Sequence, residues 1–154
     1  AEEVPADVDQ QVRALLERYR LAVESKNLDA VAGAYVTFSE RQRTLMVLGV
    51  DEACSNIIRH AYHLRDDRFI SLSLEGKNDC VCLRLRDYGK QPQPESMKRP
   101  RADLIRPGGL GLHLIRNAFD QVDYVLRSRG TELVLTKNLE LGEDRITEPR
   151  ITRI

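Results

Sequence analysis

Three polar side chains, Glu52, Asn56 and His60, recur at intervals of four within a stretch that otherwise reads as a buried helix. That spacing stacks them along one stripe, with Ser55 and Arg59 close beside it. A stripe of carboxylate and amide oxygens suits a hydrated Mg²⁺, which keeps some of its waters and shares the rest of its shell with phosphate. A solvated helix edge would use the same spacing. Further on, Asp87 closes an alternating stretch and is followed by Tyr88 and Gly89. A carboxylate at a strand end can accept a hydrogen bond from an exocyclic amine such as that of adenine, and a strand-ending turn would use the same residues. Gly108-Gly109-Leu110-Gly111 opens a helix. Its N–H groups, with no Cβ in the way, and the positive helix end suit phosphate oxygens. Opening a helix alone needs no ligand.

These residues need elements to position them. Asp7-Val8-Asp9-Gln10 has the form of a capping box, and Val12, Leu15, Leu16, Tyr19 and Val23 follow at helical spacing, which predicts a first helix over 7–25. Leu28 to Tyr35 reads as a shorter helix. Ser39-Glu40-Arg41-Gln42 repeats the capping pattern ahead of Leu45, Leu48, Cys54, Ile57, Ile58 and Ala61, predicting a buried helix to about His63. Two-residue alternation over Phe69–Leu74 and Val81–Asp87, around the turn formers Gly76 to Asp79, predicts a hairpin. Residues 88–107 hold four of the six prolines and the basic residues Lys90, Lys98, Arg99, Arg101 and Arg106, the mark of an exposed loop. Leu112, Leu114, Ile115, Ala118 and Phe119 predict a helix. A strand pair follows, from Val122, Tyr124 and Leu126 to Leu133 and Leu135 around Arg129-Gly130. Residues from Asn138 onward are left open as a tail, an added strand or part of an interface. This order predicts an α+β fold, a two-layer sandwich with helices on one face of a mostly antiparallel sheet.

At 154 residues the chain suits a single domain spanning 1–154 with one core. Hydrophobic residues make up 42%, and no apolar run approaches the length of a membrane span. Basic and acidic residues both number 24, so the positive field that non-specific nucleic-acid binding relies on is missing. Three cysteines, Cys54, Cys80 and Cys82, without a leader sequence ahead of them, fit a reducing, cytoplasmic location. Cys80 and Cys82 alternate on one strand face and lack the further ligands of a zinc site. The chain begins at Ala1 rather than Met, which leaves room for sequence upstream.

Taken in order, these features form a recognisable set. Asp51-Glu52-Ala53-Cys54-Ser55-Asn56-Ile57-Ile58-Arg59-His60-Ala61-Tyr62 resembles the N box of the GHKL ATPases, the group that includes gyrase and the histidine kinases, in the form found in anti-sigma-factor serine kinases. Asp87-Tyr88-Gly89 resembles the first glycine box, Gly108 to Leu112 the second, and Gly130-Thr131 the late Gly-Thr pair, so the resemblance covers about residues 7–137. It implies a sandwich of the Bergerat type, with residues 88–107 as an ATP lid and 138–154 as a C-terminal tail. It also implies ATP and Mg²⁺ as cofactors. Asn56 would coordinate the metal, Asp87 would read the adenine amine with support from Thr131, and Gly109 and Gly111 would line the triphosphate. Gly89, Gly108, Leu110 and Leu112 would complete the ATP site, and Glu52 would be the general base. The activity implied is that of an anti-sigma factor with serine kinase activity. Such a protein sequesters a sigma factor and phosphorylates a serine on a small STAS-type antagonist, as a homodimer with no nucleic acid or membrane as partner. A nucleotide-binding module that sequesters a partner without turnover, and a detached histidine kinase catalytic domain, are the alternatives. One departure stands out. Lys90-Gln91 follow Gly89 where the family places a second glycine, which puts the flexibility of that hinge in question.

Overall fold

The computed structural model describes residues 10–11, 13–14, 17–19, 21–65, 67–92, 109–139 and 150–154. In chain order come strand β1 (Leu21–Lys26), helices α1 (Leu28–Thr37) and α2 (Glu40–Asn56), and a π-helical turn (Ile57–Ala61). Strands β2 (Ile70–Gly76) and β3 (Cys80–Arg86) follow, then helix α3 (Gly109–Ala118) and strands β4 (Gln121–Leu126), β5 (Thr131–Asn138) and β6 (Arg150–Arg153). The described positions from 10 to 18 are helical as well.

The strands make one mixed sheet in the order β1-β2-β3-β5-β4-β6. Its central pairings are antiparallel, and the edge strands β1 and β6 join in parallel to β2 and β4. Register sets Leu72 opposite Leu85 and Leu74 opposite Leu83, then Leu85 opposite Leu133 and Leu83 opposite Leu135. Because side chains alternate along a strand, these leucines share one face. Ala34 and Phe38, then Met46, Val50, Ala53 and Cys54 of α2, then Ile115, Ala118 and Phe119 pack onto it as one core. The expected α+β sandwich is therefore the one observed. The opposite positions, Ser71, Ser73, Arg84, Arg86 and Glu132, give the sheet a polar second face.

The capping box before α2 forms as expected. The Gln42 N–H donates to Ser39 Oγ at 3.1 Å, and the Ser39 N–H donates to Gln42 Oε1 at 2.8 Å. One expected boundary does not hold. The first helix does not run to 25, because Leu21–Lys26 pairs with Ile70–Glu75 as β1. Leu21 packs against the core while Val23 stays 46% exposed, so the β2 edge captures backbone that the helical period had claimed. The capping residues 7–9 and Val12, Leu15 and Leu16 lie outside the described residues, but Tyr19 Oη donates to Asp51 at 2.8 Å and ties the end of this segment to α2.

The buried helix also changes form before His63. α2 ends at Asn56, and the Tyr62 N–H reaches back five residues to the Ile57 carbonyl at 3.0 Å. Tertiary bonds hold this widened turn. The Lys90 N–H donates to the Ala61 carbonyl and the Tyr88 N–H to Tyr62 Oη, each at 3.0 Å, and Tyr62 Oη donates to the Phe69 carbonyl at 2.9 Å. The chain then leaves through His63 and Leu64, both at positive φ. Of the roles left open after Asn138, residues 150–153 take that of an added strand. Cys54, Cys80 and Cys82 are free thiols, and among the described residues no cluster of His, Cys, Asp or Glu could hold a metal. No described helix is long and apolar enough to cross a membrane.

Helix α2 meets α3 at close range through Gly49, where a Cβ would stand 2.9 Å from Ala118 Cβ, whereas a Cβ on Gly33 of α1 would meet nothing within 4 Å. Gly33→Ala should therefore stabilise the chain by about 0.5–1 kcal/mol through helix propensity alone. Gly49→Ala should cost about 1–2 kcal/mol despite the same propensity gain. Urea denaturation of both variants checks the opposite signs.

Candidate functional site

The π-turn, the end of β3, the start of α3 and the β4–β5 pair surround a cavity of about 520 Å³. Its inner wall is apolar, from Ala53, Ile57, Ile115 and Leu133, and Tyr124 closes it with a hydroxyl that burial pushes up to about 12. Asn56, Arg59, His60 and His63 line the rim from the α2 side, and Asp87, Lys90 and Thr131 line it from the sheet.

Asp87 is 3% exposed. Its N–H donates to the Thr131 carbonyl at 3.0 Å, continuing the β3–β5 ladder one residue beyond β3. Its Oδ1 accepts from the Gly89 N–H at 2.9 Å. Burial raises the carboxyl above the ordinary range, against the pull of the Gly89 N–H, the Arg86 guanidinium and the Thr131 N–H. Thr131 is 5% exposed, and its Oγ1 has no hydrogen-bond partner among the described residues. A buried hydroxyl without a partner is costly, so a ligand edge that engages it would remove that cost. Adenine fits, because its amine suits the carboxylate and its ring nitrogens suit the hydroxyl.

Two glycines make this geometry possible. Gly130 sits at φ 73°, and a Cβ there would stand 2.6 Å from Tyr88 Cα and overlap the Asp87 carbonyl. A Cβ on Gly89 would reach 2.8 Å from Tyr62 Cδ1 and overlap the Ala61 carbonyl. Both therefore serve the close approach of three backbone segments around Asp87. Arg86 adds side-chain support: it donates to the Asp87 carbonyl, to the Thr131 carbonyl at 3.4 Å and to the Arg129 carbonyl at 2.7 Å, with its guanidinium 4.3 Å from the Tyr88 ring centroid.

The departure at Lys90-Gln91 has a structural counterpart. Gln91 Nε2 donates to the Gly130 carbonyl at 2.9 Å and to the Arg127 carbonyl. Where a second glycine was expected, a side-chain amide fastens the start of the loop to the β4–β5 turn.

Of the residues expected to bind nucleotide, Asn56, Asp87, Leu112 and Thr131 come together at the cavity. Gly109, Leu110 and Gly111 form the first turn of α3, whose leading N–H groups have no partner within the helix. Gly89 lies behind Asp87, and Gly108 falls outside the described residues, as do Lys98, Arg99, Arg101 and Arg106 of the loop. Glu52 does not line the cavity. It stands one turn before Asn56 on α2, with Oε1 3.1 Å from Arg59 Nη2. Asn56 Oδ1, the atom suited to a metal, accepts from that same nitrogen at 3.1 Å. Sequence reasoning assigned Arg86 and Tyr124 no role at the site, and named Tyr62 and Gln91 only as the end of the N-box stretch and as a motif departure. Those two motif positions were the available signals; Arg86 and Tyr124 offered none beyond strand alternation.

A family model described as the histidine kinase-like ATPase domain matches residues 5–137. The chain is 32% identical over 105 residues to the serine/threonine-protein kinase BtrW of Bordetella bronchiseptica, covering 66% of this chain and 74% of that protein. It is 31% identical over 98 residues to the serine-protein kinase RsbW of Listeria monocytogenes, covering 58% of this chain and 62% of that protein, less than two thirds of the latter. Among solved structures, the catalytic domain of the histidine kinase ThkA superposes with a TM-score of 0.60 at 17% identity, covering 90% of this chain and 96% of that domain, a likeness of fold.

Burial of Asp87 and Thr131 predicts two stability effects. A folded chain that raises the Asp87 carboxyl holds its proton more tightly than the unfolded chain. Stability is then greatest with the group protonated, and declines as pH rises from the ordinary value of about 3.9 through the raised folded value. Asp87→Asn should accordingly be more stable than the parent at neutral pH, with the advantage shrinking toward about pH 4. Thr131→Val, which removes the unpartnered hydroxyl, should gain about 1 kcal/mol. Chemical denaturation across pH checks both.

Proposed function

This chain belongs to the histidine kinase-like ATPase domain family, and from that premise we propose that it binds MgATP in the cavity and works as an anti-sigma factor with serine kinase activity. The observation that carries nucleotide binding is the pairing of a buried carboxylate with an unpartnered buried hydroxyl, Asp87 and Thr131, on the wall of one cavity. The kinase reading is supported by the serine-protein kinase relatives and by Glu52, a carboxylate one helical turn from Asn56.

In this reading Asp87 accepts from the adenine amine and Thr131 engages the same ring edge, while Ile57, Ile115 and Leu133 exclude water from its face. Asn56 holds the metal through Oδ1, and the first-turn N–H groups at Gly109, Leu110 and Gly111 face the phosphates. MgATP would supply the γ-phosphoryl group, with MgADP as the leaving group, and the metal charge that would offset the developing negative charge. Glu52 takes the proton of the attacking serine hydroxyl. The acceptor is a small STAS-type antagonist and the sequestered partner a sigma factor, with the chain acting as a homodimer in the cytoplasm. A second reading, nucleotide held without turnover, is favoured by one observation: Glu52 is paired with Arg59 and off the cavity wall.

Asp87→Ala should weaken ATP binding by about 10- to 100-fold, the loss of a charge-assisted hydrogen bond, and calorimetry measures it. Incubation with labelled MgATP and candidate antagonist proteins tests the chemistry. Phosphoserine that disappears in Glu52→Ala supports the kinase reading. Tight binding with no transfer by the parent chain supports the module, and phosphohistidine on a partner would make it a histidine kinase domain.

A further inference from the structure

Arg59 holds both side chains on which the proposed chemistry depends. Its Nη2 donates to Glu52 Oε1 and to Asn56 Oδ1, each at 3.1 Å, while Nε donates to the Ser55 carbonyl at 3.4 Å. Seven residues is close to two whole turns, so Arg59 returns to the helix face of Glu52 and folds back along it. Arg59 also lines the cavity, whereas Glu52 does not. An arginine keeps its charge at all working pH values. The Asn56 oxygen that accepts from Arg59 is the atom a metal would need, and two cations cannot share it without strong repulsion.

We propose that Arg59 is a positioning residue that acts as a metal-displaced latch. Before the metal arrives, it neutralises Glu52 and occupies Asn56 Oδ1. Binding of Mg²⁺ with nucleotide expels the guanidinium and leaves Glu52 free to accept a proton. The side chains of Arg59 and Glu52 are 35% and 22% exposed, so the pair is weak enough to be displaced reversibly. The latch rests on the MgATP reading above, but its resting state is a property of the nucleotide-free chain.

Two measurements test it. In the nucleotide-free protein, a double-mutant cycle of Glu52→Gln and Arg59→Met, read by urea denaturation, should show that the two residues are coupled. Additive effects would mean that the resting latch does not form. In the second, calorimetry gives ATP affinity with and without Mg²⁺ for the parent chain, Arg59→Met and Arg59→Lys. Freed of the latch, Arg59→Met should bind ATP about tenfold more tightly in Mg²⁺, with metal-free affinity within about twofold of the parent. Arg59→Lys, folded like the parent and still charged but without the planar fork, should fall between the two. Equal weakening with and without Mg²⁺ would make Arg59 a phosphate ligand and overturn the latch, and so would an unchanged Mg²⁺ response. A parent chain that binds no nucleotide would sink the MgATP reading itself, an outcome distinct from binding with an unaltered metal response.

Discussion

A carboxylate placed in the interior has to be hydrogen-bonded, and the rest of this site is arranged around that requirement at Asp87. The residue sits one step past β3, where its N–H still joins the ladder to Thr131 and its side chain accepts from Gly89. To deliver that N–H, the chain after β3 must run against the Ala61 carbonyl and the Tyr62 ring on one side and the β4–β5 turn on the other. Each approach is closer than a Cβ allows. The folded chain gives up stability to keep a charge there, since burial raises the Asp87 carboxyl.

The π-turn after α2 belongs to the same arrangement. An unbroken α-helix would continue its own hydrogen bonds, whereas the widened turn is held from outside, by Lys90 on Ala61 and by the Tyr62 hydroxyl between Phe69 and Tyr88. Helix and strand end are thereby fixed to each other, so that Asn56 and Asp87 face one cavity from opposite walls. Interruptions of this kind are costly within a helix and occur mostly where side chains have a task.

Much of the frame was legible because it is written locally. The Ser39 capping box, the leucine alternation of the central strands and the turn formers between them each carry their own signal within a few residues. The two edge strands were harder. β1 pairs with residues about fifty positions away, and its apolar side chains also satisfy a helical period, so nothing nearby distinguishes the two. β6, which pairs with β4, was left open between a tail, an added strand and an interface. At the site, the motifs behind the family resemblance included Asn56, Asp87, Leu112 and Thr131, which share a cavity. The reason for Gly89 and Gly130 was not legible, since it lies in backbone from distant segments. Nor was the reach of Arg59, because a flexible side chain picks its partners from the geometry around it.

Gln91 changes the mechanical character of the segment that leaves β3. A glycine at that position would be a free swivel, letting the chain beyond it turn without disturbing the sheet. The amide instead forms a bolt across to the carbonyls of Arg127 and Gly130. Any rotation of the backbone at Gln91 either drags the β4–β5 turn along or first breaks two hydrogen bonds. Gly130 adjoins Thr131, so strain at the mouth of the pocket is passed within one peptide unit to the residue beside the buried carboxylate. One side chain thus couples the segment after Gly89 to the turn that leads into Thr131.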